Sequence, residues 1–233
     1  MDYLRLAGIA LALQLAACSD APDTLNANEA VPTPAAAHNV GADAQNAKLV
    51  VAFGDSLYAG YQLPQDQGFA PELQRALAAS GVNADVRNAG VSGDTTAAGL
   101  ARLNFTLDGY DRKPDLVVLG LGGNDMLRGL SPAETRKNMV AILDELRRRE
   151  IPAVLTGMIA SPNMGADFAR DFNAIFPELS AEYDAPLYPF FLDGVITDSS
   201  LMLPDGIHPN EAGVDAVVGK VAPVVAGALR EQG

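Results

Sequence analysis

The period of the apolar positions changes along this chain, and each change marks an element. Leu6 to Ala17 is an apolar run of about a dozen residues behind a short n-region holding Arg5 and Asp2. That is too short for a bilayer-spanning helix and the right length for the core of a signal peptide. Residues 19–47 then show no sustained periodicity and no aromatic side chain, and carry Pro22, Pro32 and Pro34. Such a segment cannot bury enough surface to fold and is expected to act as a flexible tether with a reach of about 30 Å. From Lys48 the texture becomes that of a buried fold. Residues 48–53 form a continuous apolar run ending at Gly54, as expected of a strand covered on both faces. Residues 69–80 place Phe69, Leu73, Ala76 and Leu77 at helical spacing before Gly81 stops the helix.

The alternation continues to the end. Residues 82–88 read as a second strand, 95–107 as a helix, and 115–120 as the clearest strand of all, introduced by Pro114. Ser131-Pro132-Ala133-Glu134 spells a capping box, with proline at the first helical position. The helix it opens runs to about residue 150, with Met139, Ile142, Leu143 and Leu146 on one face. Strands over 153–158 and 186–190 flank a helix over 168–183, and a closing helix over 210–230 turns Val214, Val217, Val218 and Val221 inward. Five strands alternating with helices predict an α/β fold, a five-stranded parallel sheet with helices on both faces. In such sheets, sites form at the carboxyl ends of the strands. The predicted organisation is a signal peptide over 1–17, a disordered tether over 18–47 and one folded domain over 48–233.

Composition narrows the chemistry. Of 233 residues, 16 are Lys or Arg and 29 are Asp or Glu, a formal charge of −13. That balance argues against nucleic acid as a partner and against adhesion to anionic membranes through a basic patch. One Cys excludes an internal disulfide framework and any multi-Cys zinc site, and two His leave little room for a metal centre, so no metal is expected. The lone Cys18 follows Leu15-Ala16-Ala17. This tetrad resembles the lipobox of bacterial lipoproteins, which implies lipid attachment at Cys18 after removal of 1–17. The implied location is the periplasmic face of a bacterial membrane, held there by acyl chains. His38 falls in the tether, so His208 is the one histidine of the folded part.

Four segments at strand ends carry candidate chemistry. Gly54-Asp55-Ser56-Leu57 sets a serine just past the first strand, where turn geometry holds it out into the crevice; alone, the tripeptide is a weak signal that reads first as a helix cap. Asp205-Gly206-Ile207-His208-Pro209 supplies an acid three residues before a base. A serine hydroxyl needs such a base to become nucleophilic, and the base needs a carboxylate to fix its tautomer. Read alone, Asp205 is also a plausible cap and His208 a structural residue. Asn88-Ala89-Gly90-Val91-Ser92-Gly93-Asp94-Thr95-Thr96 brings backbone N–H groups close to any ligand, and Gly120-Leu121-Gly122-Gly123-Asn124-Asp125 places an amide at a strand tip. Each is also an ordinary strand-to-helix turn. Asp55 and Asp94 are expected to organise turn hydrogen bonds. Met126, Leu127, Met158, Ile159, Phe190 and Phe191 are candidates for an acyl groove or for plain core.

Together and in this order, the four segments resemble the GDSL or SGNH hydrolase family, in its bacterial thioesterase, lysophospholipase and arylesterase branch. The resemblance spans Lys48 to the C-terminus and implies a three-layer, flavodoxin-like fold. It implies Ser56 as nucleophile, His208 as general base and Asp205 as its orienting acid. It also implies an oxyanion hole of the Ser56 N–H, Gly90 and Asn124. The implied reaction is hydrolysis of an acyl or aryl ester, or of a thioester, through an acyl-enzyme. The substrate is then a small-molecule or lipid ester such as a lysophospholipid; no cofactor is needed and no obligate protein partner is indicated. The serine lies outside any Gly-x-Ser-x-Gly elbow, which argues against the α/β-hydrolase fold. Two other readings are an SGNH-type carbohydrate O-acetyl esterase and a non-catalytic ligand-binding lipoprotein.

Overall fold

A computed structural model describes residues 46–231, so the expected signal peptide, Cys18 and His38 lie outside the described residues. Five strands form one parallel sheet in the order β2-β1-β3-β4-β5: β1 (Lys48–Gly54), β2 (Ala84–Gly90), β3 (Leu116–Gly120), β4 (Ala153–Thr156) and β5 (Leu187–Tyr188). This is the flavodoxin-like order, whose direction reverses between β1 and β3. The helices are α1 (Ser56–Ala59), α2 (Phe69–Ala79), α3 (Thr96–Asp108), α4 (Gly123–Leu127), α5 (Pro132–Arg148), α6 (Ala166–Tyr183) and α7 (Glu211–Arg230).

Two-residue alternation along the strands splits the core into two layers. Val50, Ala52, Val86, Leu116, Val118 and Val154 face α2 and α7, meeting Phe69, Leu73, Leu77, Val214, Val217 and Val221. Val51, Phe53, Ala89, Val117, Leu119 and Leu155 face α3, α5 and α6, meeting Leu103, Met139, Ile142, Phe172 and Phe176. Each fully buried Val, Leu, Ile, Phe or Met among them contributes about 1.5–3 kcal/mol of transfer free energy, so the central strands anchor both layers. Helix α7 is apolar enough along its length to cross a membrane, but more than half of that stretch is buried against α2 and the sheet.

Strand ends differ from the expected ones for visible reasons. The Val82 N–H closes the end of α2 by donating to the Leu77 carbonyl, which delays β2 to Ala84. Prolines 186 and 189 bracket β5 and cannot donate to a ladder, which cuts it to two residues. At the start of α5 the Ser131 hydroxyl accepts from the Ala133 N–H at 3.2 Å, while the Glu134 carboxylate pairs with Lys137 at 3.3 Å instead of closing the expected capping box.

The feature that positions everything else is a row of glycines. Gly90, Gly54 and Gly120 are paired neighbours at the carboxyl ends of β2, β1 and β3. Helix α1 lies directly on this row. A Cβ at Gly54 would sit 2.4 Å from the Tyr58 ring, one at Gly120 2.3 Å from the same ring, and one at Gly90 2.3 Å from the Ala59 nitrogen. Tyr58 is 1% exposed; its ring packs on Phe69 and Phe191, and its hydroxyl lies 2.8 Å from Thr156 Oγ1 at the end of β4.

Candidate active site

Ser56 is the first residue of α1. The preceding Asp55 caps that helix, its Oδ1 accepting the Leu57 N–H at 3.0 Å. The loop before α7 brings the other two residues to the serine. It is closed by the Leu203 N–H donating to the His208 carbonyl at 2.7 Å and by a bridge between Met202 and Pro209, and it turns at Gly206 with φ +66°. Asn210 then caps α7, accepting the Gly213 N–H.

Ser56, His208 and Asp205 come together as a hydrogen-bonded chain. Ser56 Oγ lies 2.8 Å from His208 Nε2, and His208 Nδ1 lies 2.7 Å from Asp205 Oδ2. The other carboxylate oxygen, Asp205 Oδ1, accepts the backbone N–H groups of Ile207 and His208 at 2.9 and 3.0 Å. Partial burial pulls the Asp205 pKa upward, but those two N–H groups and the imidazole outweigh it and hold it at about 2. Asp205 is therefore a carboxylate, which can only accept. Nδ1 must carry the imidazole hydrogen, leaving Nε2 free to accept from Ser56 Oγ. Tyr61 stacks on the imidazole at 4.3 Å between centroids, a contact the sequence pattern does not signal.

The two loops with oxyanion candidates behave differently from one another. The Gly90 N–H is turned to Asn88 Oδ1 at 2.8 Å, and Gly90 is pressed against α1 instead of lining the cavity. The expected donor role of Gly90 is therefore corrected: this glycine makes room for the helix. Three residues on, Gly93 lines the cavity with φ +85°, a conformation that favours glycine. The Asn88–Thr96 segment contained both glycines, and only the bend beyond β2 separates their roles. Asn124, in α4, also lines the cavity; its Nδ2 donates to the Asp94 carbonyl at 3.0 Å and to Asp55 Oδ2 at 3.3 Å. Asp94 is paired with Arg102 at 2.6 Å, and Asp125 is buried where it accepts from the Thr96 N–H and Thr96 hydroxyl. Both thus organise loops.

A cavity of about 460 Å³ opens in front of Ser56 and His208. Leu57, Met126, Leu127, Met158, Leu192, Ile196 and Ile207 give it an apolar wall. Of the expected groove residues, Met126, Leu127 and Met158 are in that wall. Phe191 is instead part of the core under Tyr58, Phe190 packs against the same core, and Ile159 is exposed outside the wall.

Residues 52–216 match the family model described as the GDSL-like Lipase/Acylhydrolase family. The chain belongs to this family. Among its GDSL-like relatives, Esterase TesA of Pseudomonas aeruginosa is 37% identical over 179 residues, covering 77% of this chain and 88% of the relative. Thioesterase 1/protease 1/lysophospholipase L1 of Escherichia coli K12 is 36% identical over 164 residues, 70% of this chain and 76% of the relative. A Bacillus subtilis relative, lipoprotein YqeF, is 28% identical over 209 residues, covering 73% of this chain and 84% of that protein. Among solved structures, AlinE4, an SGNH-hydrolase family esterase, is 50% identical with a TM-score of 0.67, covering 78% of this chain and 96% of its own.

The carboxyl of the Gly54–Leu57 segment, Asp55, is held in the opposite way from Asp205. Burial pushes Asp55 up, to about 6 from 3.8; the nearby Asp94 adds to the rise, and the Leu57 N–H, His208 and Asn124 offset it only in part. An unfolded chain releases this proton near pH 4, so the folded state loses stability as pH rises from about 4 to about 6. Asp55→Asn keeps an oxygen for the Leu57 N–H and abolishes the ionisation. The variant is expected to match the wild type near pH 4 and to exceed it by about 1–3 kcal/mol at pH 8, as read by urea unfolding at the two pH values. A variant less stable than wild type at pH 8 contradicts this reading.

Proposed function

We propose that this protein is a serine esterase that hydrolyses acyl or aryl esters, or thioesters, through an acyl-enzyme. The supporting observation is the Ser56–His208–Asp205 chain, with contacts of 2.8 and 2.7 Å, at the mouth of an apolar cavity. His208 Nε2 takes the Ser56 Oγ proton as Oγ attacks the substrate carbonyl. Asp205, held ionised, fixes the tautomer and stabilises the imidazolium that forms. The negative charge gathering on the carbonyl oxygen is received by the Ser56 N–H, the Gly93 N–H and Asn124 Nδ2. Neither of the two backbone N–H groups donates to any acceptor among the described residues. Asn124 gives up its longer contact, the one to Asp55, to make this bond. Collapse of the intermediate passes the His208 proton to the leaving alcohol or thiol, and water activated by His208 then frees the acid.

The substrate's hydrocarbon part lies against Leu57, Met126, Met158, Leu192 and Ile196. An acetyl group would leave most of a cavity this size empty, which favours longer acyl or aryl esters, such as lysophospholipids or acyl thioesters, over acetylated carbohydrate. Ser56→Ala is expected to lower kcat on p-nitrophenyl butyrate at least ~10³-fold, since removing a triad member leaves only binding and the oxyanion hole, while shifting Tm little. Turnover within tenfold of wild type in the variant refutes the assignment of Ser56 as the nucleophile.

We also propose that residues 1–17 direct export and that Cys18 carries lipid, with 18–47 as the tether to the folded domain. Leu15-Ala16-Ala17-Cys18 and the similarity to a named lipoprotein support this. Cys18→Ser is expected to leave an unprocessed precursor or a soluble product in place of a mature lipidated form. A processed variant that still partitions into detergent contradicts the anchor.

A further inference from the structure

Arg102 stands on α3, eight residues past Asp94, where the helical pattern alone gives it an ordinary polar-face position. Its surroundings are not ordinary. The side chain is 20% exposed and its guanidinium lies over the Phe53 ring, 4.0 Å from the centroid. Nε donates to Asp94 Oδ2 at 2.6 Å, and Nη2 donates to the Gly54 carbonyl at 3.0 Å. That same carbonyl accepts the Val91 N–H at 3.0 Å. One planar cation thus ties the end of the nucleophile strand to the loop that follows β2.

The three proposed oxyanion donors lie close to, or are bonded to, the two residues that Arg102 holds. Ser56 is two residues beyond Gly54, and Gly93 immediately precedes Asp94. Asn124 Nδ2 donates to the Asp94 carbonyl at 3.0 Å. We propose that Arg102 is a positioning residue that sets the spacing of these three donors by bridging the Gly54 carbonyl and the Asp94 carboxylate. The inference rests on the esterase reading above and goes beyond it. Arg102 touches neither the triad nor the cavity wall, so it acts through the donors and not through proton transfer. A lysine at this position is a point charge on a flexible stem and cannot hold both acceptors in the fixed fork of a guanidinium. Donors displaced by a fraction of an ångström still admit substrate but stabilise the charged intermediate less.

The test compares wild type, Arg102→Met, Arg102→Lys and Ser56→Ala on p-nitrophenyl butyrate. It adds inhibition by phenylboronic acid, whose serine adduct is a tetrahedral anion, and thermal unfolding. Arg102→Met keeps an apolar stem on Phe53; its kcat is expected to fall about 10²-fold, comparable to loss of one oxyanion donor, with KM within about threefold of wild type. Its boronate Ki is expected to rise with the fall in kcat, and Arg102→Lys to lose at least about tenfold in kcat. If Arg102→Met does not fold, Arg102→Lys decides the matter alone. A wild-type kcat in either folded variant overturns the proposal, as does a kcat loss with unchanged boronate Ki. Retained turnover in Ser56→Ala instead defeats the Ser56 mechanism on which the proposal rests; a dead Ser56→Ala beside a fully active Arg102→Met defeats only the role of Arg102.

Discussion

How closely α1 lies on the ends of three strands determines where every reactive group stands. A four-residue helix has almost no stability of its own. This one is fixed from below by the Gly90-Gly54-Gly120 row, which admits the Tyr58 ring and the α1 backbone at distances no Cβ would tolerate. Tyr58 then anchors the helix through Phe69, Phe191 and Thr156. The serine at its start therefore projects from a packed core instead of a mobile loop. The 203–208 hairpin only has to deliver an imidazole to a place already determined.

Around that point the protein sets two carboxyl groups to opposite ends of their range. Asp205 lies on an accessible loop and gathers two backbone N–H groups and the imidazole, which keep it ionised down to about pH 2. Asp55 is buried with little compensation and holds its proton up to about pH 6. Separation of paired acids by environment is how one site divides electrostatic labour. Here the ionised acid faces the His208 imidazole, and the reluctant one caps the helix and holds the Asn124 amide near the cavity. The remaining loop contacts, from Asp94 to Arg102 and from Asp125 to Thr96, keep the strand-end turns in register.

The parallel sheet and its helices were legible in the sequence because buried strands and amphipathic helices leave strong periods. β1, α2, α5 and α7 begin or end within two residues of the expected positions, helped by local signals such as the Gly81 stop and the Ser131 cap. The residues the structure joins at 2.8 and 2.7 Å were also visible, since one histidine in the folded part leaves one base to consider. What the pattern could not carry was direction. Gly90 and Gly93 look alike as letters, and only the tertiary approach of α1 shows that one is a seat and the other a cavity wall. Phe190 and Phe191 look like groove residues by apolarity, yet the rings of Tyr58 and Phe69 claim Phe191 for the core and Phe190 packs against that same core. Arg102 and Tyr61 have no local signature, because their partners are far away along the chain.

The account turns on Ser56 being the activated nucleophile, and covalent labelling tests that most directly. The full chain is treated with diethyl p-nitrophenyl phosphate, and the adduct is located by mass spectrometry of its peptides. One diethylphosphoryl group is predicted per chain, on Ser56, released p-nitrophenol matching it and no adduct forming on Ser56→Ala. A chain that stays unlabelled, or one that carries the group at another residue, contradicts the account.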